Sequence, residues 1–153
     1  SGVGMLAFGS PIAAIAMTRN PESSPRDLVV TLAWARATPP GADVGAAYVT
    51  IENPGATDDR LIGVTSAAAG VVSIHETVEE NGIAKMRPLQ GIALLAGHTL
   101  AMQPGGFHVM LMDLKNPLVE GESVALTLTF EQAGAIEVEA DIAAIGADAP
   151  PER

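Results

Sequence analysis

An Asn-Gly pair interrupts two strand-like runs in Thr77-Val78-Glu79-Glu80-Asn81-Gly82-Ile83-Ala84-Lys85-Met86, and no other feature restricts the fold as strongly. A two-residue type I′ hairpin needs positive φ at both central residues, which Asn and Gly tolerate. The pair therefore sets a register of 80 with 83, 79 with 84, 78 with 85 and 77 with 86. Met86 is placed across from Thr77. His75 shares a face with Thr77, which makes it a diagonal neighbour of Met86 roughly 7–8 Å away at the backbone.

Comparable punctuation runs through the rest of the chain. Ala37-Thr38-Pro39-Pro40-Gly41, Asn53-Pro54-Gly55, Ala96-Gly97-His98, Pro104-Gly105-Gly106 and Gln132-Ala133-Gly134 carry turn chemistry. Between them strands are predicted at 28–36, 46–52, 60–65, 71–78, 83–87, 91–95, 99–102, 107–114, 123–131 and 135–142, and no helix-period apolar pattern competes. Strands at this spacing imply an all-β antiparallel sandwich or small barrel. With 153 residues and 48% hydrophobic content the chain can bury one domain core, and at 3% aromatic content that core must be mostly Val, Leu, Ile and Ala. The domain is expected at 27–143, after a leader and linker at 1–26 and before a flexible Ala/Pro-rich tail at 144–153. Residues 5–16 are apolar and end in Ala14-Ile15-Ala16, with no basic stretch before them. They read either as a residual export segment or as a plain leader, and they are too short to span a membrane.

The formal charge of −10 disfavours nucleic acid and anionic membrane surfaces as partners, and leaves small cations and basic protein surfaces open. No stable membrane insertion of the folded domain is expected. The chain has no cysteine, which by itself fits any compartment.

The chemistry-bearing residues are three His and six Met. His75 is followed after ten residues by Met86, and after twenty-one more by His108-Val109-Met110. His108 and Met110 project from one strand face about 6.6 Å apart, so the chain supplies two same-face His-Met pairs. Imidazole with thioether, without thiolate, suits Cu(I) better than zinc, calcium or magnesium. The competing reading is that each His is a satisfied structural residue and each Met core filler; spacing alone leaves both open. His98 reads as a solvated turn residue, Met112 as core or site wall, and Trp34 as a core anchor. Glu76, Glu79 and Glu80 form an acidic edge that discourages edge-to-edge pairing. No nucleophile-elbow context, cysteine nucleophile or phosphate-binding glycine loop supports catalysis, so the chain is not expected to be an enzyme.

At these positions the chain closely resembles the periplasmic copper chaperone family PCu(A)C, whose pattern is His-x10-Met-x21-His-x-Met. His75, Met86, His108 and Met110 match it without a gap. The likeness extends through Trp34-Ala35-Arg36-Ala37-Thr38-Pro39-Pro40-Gly41, Met86-Arg87-Pro88-Leu89 and Gly105-Gly106-Phe107-His108-Val109-Met110-Leu111-Met112, and covers about 27–143. Many relatives carry a Met just after the first His, where this chain has Glu76 and Thr77, and nothing in 147–153 matches the His/Met-rich extension of some relatives. The resemblance implies a Greek-key, cupredoxin-like sandwich in the periplasm or another extracytoplasmic space. It implies one Cu(I) held by His75, Met86, His108 and Met110 and delivered toward the CuA centre of cytochrome c oxidase, alongside thioredoxin-fold assembly proteins. A site without thiols suits an oxidising space, although thioethers can still be oxidised. A blue-copper electron carrier would need a Cys thiolate, which is lacking. A metal-free scaffold or adhesion sandwich would use the same strands and treat the His-Met pairs as incidental.

Overall fold

The computed structural model describes residues 28–151, so the leader and export-segment readings at 1–26 lie outside the described residues. Ten strands and no helix occur among these residues: β1 Val29–Arg36, β2 Val44–Glu52, β3 Asp59–Thr65, β4 Ala69–Glu80, β5 Ile83–Leu89, β6 Ile92–Leu94, β7 Thr99–Ala101, β8 Phe107–Leu114, β9 Ser123–Phe130 and β10 Gly134–Ala143. Each predicted strand is present, with ends shifted by at most two residues. The architecture is the all-β, cupredoxin-like fold expected. Hydrogen bonding runs in the order β5-β4-β8-β2-β1-β10-β9-β3-β6, with β7 added to β2. All neighbours are antiparallel except β10 and β1, which pair in parallel through Asp141 and Trp34. No hairpin can join that pair, since parallel neighbours need a long crossover.

Alternation builds the core. In β9 the side chains of Val124, Leu126, Leu128 and Phe130 are buried, while those between them face outward. They pack with Val49, Ile51, Leu61, Val109, Leu111 and Ile142. Aliphatic residues thus supply most of the interior, as the scarcity of aromatics requires.

Two buried polar side chains fasten the loops away from the His-Met residues. The Asp59 carboxylate accepts from the backbone N–H groups of Arg60 at 2.7 Å, Gln132 at 2.8 Å and Ala133 at 3.0 Å, tying the start of β3 to the β9–β10 turn. The Asn53 amide donates to the carbonyls of Leu94 at 2.9 Å and Thr57 at 3.0 Å. Beyond β10 the chain returns to the sheet: Arg36 Nε donates to the Ala147 carbonyl at 2.7 Å, and the Arg36 guanidinium lies 3.4 Å from Asp148 Oδ1.

Candidate metal centre

The β4–β5 hairpin adopts the register that Asn81-Gly82 dictates. Asn81 has φ of 53° and Gly82 of 79°. Glu80 pairs with Ile83, Glu79 with Ala84, Val78 with Lys85 and Thr77 with Met86. Salt bridges reinforce it on the exposed side, Arg87 to Glu76 at 3.0 Å and Lys85 to Glu80 at 3.3 Å. Such exposed pairs contribute at most about 1 kcal/mol each, and they engage two of the three glutamates of the acidic edge.

Hairpin chemistry could not reveal that β8 lies on the other side of β4. In that pairing His75 stands directly opposite His108, and Ser73 opposite Met110. Three neighbouring strands therefore bring all four predicted residues to one face. His75 is central, with His108 across from it, Met110 diagonal on the same side and Met86 diagonal on the other. Their in-strand neighbours Ile74 and Val109 point the opposite way, into the core. The two imidazole centroids lie 5.7 Å apart with ring planes tilted by 48°.

Burial grades across this face. His108 is buried, His75 and Met110 are half-buried, and Met86 is 60% exposed. One side of the arrangement is closed by protein and the other opens to solvent through a thioether. Backbone chemistry orients His108: Pro104-Gly105-Gly106 turns with Gly105 at φ 87°, and the Gly106 carbonyl accepts from His108 Nδ1 at 3.3 Å and from the Thr77 N–H at 3.1 Å. A carbonyl can only accept, so Nδ1 carries the proton and Nε2 keeps its lone pair. On His75 it is Nε2 that has a partner, the Ser73 hydroxyl at 2.9 Å.

What remains is a matched pair of unpartnered nitrogens. His75 Nδ1 and His108 Nε2 are the buried side-chain nitrogen or oxygen atoms without a hydrogen-bond partner among the described residues. Buried polar atoms are ordinarily satisfied, and two orphans on directly opposed residues, flanked by two thioethers, are donor types that could hold a soft cation. Among the described residues, no group of three or more His, Cys, Asp or Glu gathers to hold a metal ion. Burial pushes the His108 pKa below the ordinary histidine value; the hydrogen bond to Gly106 opposes this, and the His75 and Arg36 charges add to the lowering. Desolvation thus favours the neutral imidazole, the form that can donate a lone pair to a metal.

The other singled-out residues take supporting places. His98 is exposed in its turn, with Nδ1 3.1 Å from the Ala96 carbonyl. Met102 is buried in the core. Met112 is half-buried one step past Met110 on the same face, paired with Val44 and Val71, and so forms a wall beside the four residues. Trp34 is buried against Tyr48 with ring centroids 4.6 Å apart, and the Arg36 guanidinium lies 5.8 Å from the Tyr48 ring. Desolvation raises the Tyr48 pKa, Arg36 lowers it and Asp148 raises it. Ser73 and the Gly106 carbonyl were not singled out in the sequence. The strand parity of Ser73 with His75 was the available signal.

Comparison with known proteins gives a consistent result. The sequence profile of the LpqE-like family, described as "Putative lipoprotein LpqE-like", matches residues 28–142. The chain is 37% identical over 116 residues to Lxx21020 of Leifsonia xyli subsp. xyli (strain CTCB07), which also carries a lipoprotein name; the match covers 75% of this chain and 69% of that protein. Among solved structures, the copper-bound PCuAC domain from PmoF2 aligns with a TM-score of 0.66 at 30% identity, covering 76% of this chain and 92% of that one. The solution structure of CuI-DR1885 from Deinococcus radiodurans aligns with a TM-score of 0.60 at 33% identity, covering 73% and 75%.

Proposed function

The chain belongs to the LpqE-like family, of PCuAC type, and from that premise we propose that it is an extracytoplasmic copper chaperone, a carrier rather than an enzyme. In this reading it binds one Cu(I) through His75, Met86, His108 and Met110 and hands it on toward a thiolate-bearing acceptor such as the CuA centre of cytochrome c oxidase, or a thioredoxin-fold protein that serves it. The observation that carries the reading is the opposed pair of buried, unpartnered nitrogens, His75 Nδ1 and His108 Nε2, with a thioether diagonal to His75 on either side. The copper-bound state of the PmoF2 and DR1885 structures supports it. The lipoprotein description of the family supports the compartment.

The mechanism follows from the donor chemistry. Four neutral donors add no negative charge, so they stabilise a monovalent soft ion without favouring the divalent state. The two imidazoles, His108 buried and His75 half-buried, hold copper on the closed side. Met86, the most exposed donor, is the ligand that an incoming thiolate can displace first. Exchange then proceeds through a shared ion whose oxidation state does not change, and a thiolate outcompetes a thioether for Cu(I).

Metal titration under reducing conditions tests the reading. The expected result is saturation at one Cu(I) per chain, with Zn(II) and Cu(II) binding much more weakly, and transfer to an apo CuA domain on mixing. A site that prefers zinc, or no uptake of Cu(I), would overturn it.

A further inference from the structure

Resting on the copper reading, we propose that Ser73 is a positioning residue: its hydroxyl holds His75 in the Nε2–H tautomer, so that His75 presents Nδ1 to the metal while His108 presents Nε2. The two histidines thus enter the site through different ring nitrogens, set by different partners.

The geometry leads there in three steps. Ser73 and His75 are two residues apart on β4, so both side chains leave the same face, and Ser73 Oγ lies 2.9 Å from His75 Nε2. Ser73 also stands directly opposite Met110, which places the hydroxyl at the edge of the donor cluster. A neutral imidazole has one N–H and one lone pair, so its hydrogen bond to Ser73 decides what the buried Nδ1 carries. If the hydroxyl donated to Nε2, the proton would sit on Nδ1 as a buried, unpartnered N–H aimed where a cation must arrive. If Nε2–H donates to the hydroxyl, Nδ1 keeps a lone pair, which an incoming Cu(I) satisfies. Only the second arrangement leaves both orphaned nitrogens as lone pairs.

The two anchors differ in kind. His108 is held by the Gly106 carbonyl, an obligatory acceptor that no side-chain substitution removes. The Ser73 hydroxyl can accept or donate, and it can be deleted without altering the backbone. Partners that orient a ligating histidine typically affect metal affinity by about 10–100-fold.

The test uses the whole chain with 15N-labelled histidine, above the imidazole titration range. In the metal-free wild type, His75 should be protonated at Nε2 and His108 at Nδ1, read from the ring nitrogen shifts. Ser73→Ala should shift His75 toward a tautomer mixture and weaken Cu(I) binding by about 10-fold, with an unchanged circular dichroism spectrum. Ser73→Thr, which keeps the hydroxyl and suits a strand, should restore both readings. A wild-type His75 protonated at Nδ1, or a Ser73→Ala variant with wild-type tautomer or affinity, overturns the proposal while leaving copper binding by the wild type in place. A wild type that takes up no Cu(I) overturns the copper reading itself, and this role with it.

Discussion

Replacing Met86 by Leu separates copper binding from folding. Met86 is 60% exposed on β5, which among the described residues is an edge strand with β4 as its single hydrogen-bonded neighbour in the sheet. Leucine keeps the apolar volume and removes only the sulfur, and exposed substitutions of this kind change stability by less than about 0.5 kcal/mol. Affinity should respond very differently. Losing a partner that merely orients a ligand costs about 10–100-fold, so losing one of four donors should cost at least about 100-fold, or roughly 2.8 kcal/mol. Denaturation of the metal-free variant and competition against a Cu(I) chelator measure the two quantities on one preparation. The half-buried Met110 offers a graded comparison: Met110→Leu should cost less than about 1.5 kcal/mol of stability with a similar loss of affinity. Wild-type affinity in Met86→Leu would remove Met86 from the site, and a stability loss well above 0.5 kcal/mol would show that its sulfur serves packing.

His98→Asn and Met102→Leu should leave Cu(I) affinity within about threefold of wild type, because one residue is a solvated turn and the other lies in the core; chelator competition checks both. Asp59→Ala should destabilise the metal-free chain by more than about 2 kcal/mol, since its carboxylate satisfies three backbone N–H groups, and denaturant unfolding should register this without loss of copper stoichiometry. Stability should also depend on pH through His108, whose folded-state pKa burial holds below the ordinary value. The unfolded chain takes up this proton first as pH falls, so the stability present above about pH 6.5 is lost as pH drops through the lower folded-state value. His108→Phe should abolish that part of the slope in unfolding curves recorded between pH 8 and 5. An unchanged slope would contradict the burial argument.

Local chemistry made most of the strand layout legible. Asn81-Gly82 determined a hairpin register that the structure reproduces pair for pair, because a two-residue turn with both φ values positive leaves the flanking strands no freedom to slip. The Phe107–Leu114 strand was likewise bounded by its preceding Pro-Gly-Gly turn. Pairing between strands distant in sequence was not legible, since alternation assigns faces without assigning neighbours. The adjacency of β4 and β8, which sets His75 against His108, has no local signature either; the family resemblance implied only that the four residues share one site. The parallel contact of β10 with β1 and the return of Ala147 onto Arg36 had no local signature at all. Ser73 is legible only by its strand parity with His75, a signal that gains weight once that histidine is known to need a partner.

X-ray absorption at the copper edge of the Cu(I)-loaded chain tests the central claim most directly, because it counts nitrogen and sulfur donors around the metal. The account predicts a Cu(I) edge with two imidazole nitrogens and two sulfurs in the coordination shell, falling to one sulfur in Met86→Leu. A shell of nitrogen and oxygen alone, or one unchanged by that substitution, would contradict it.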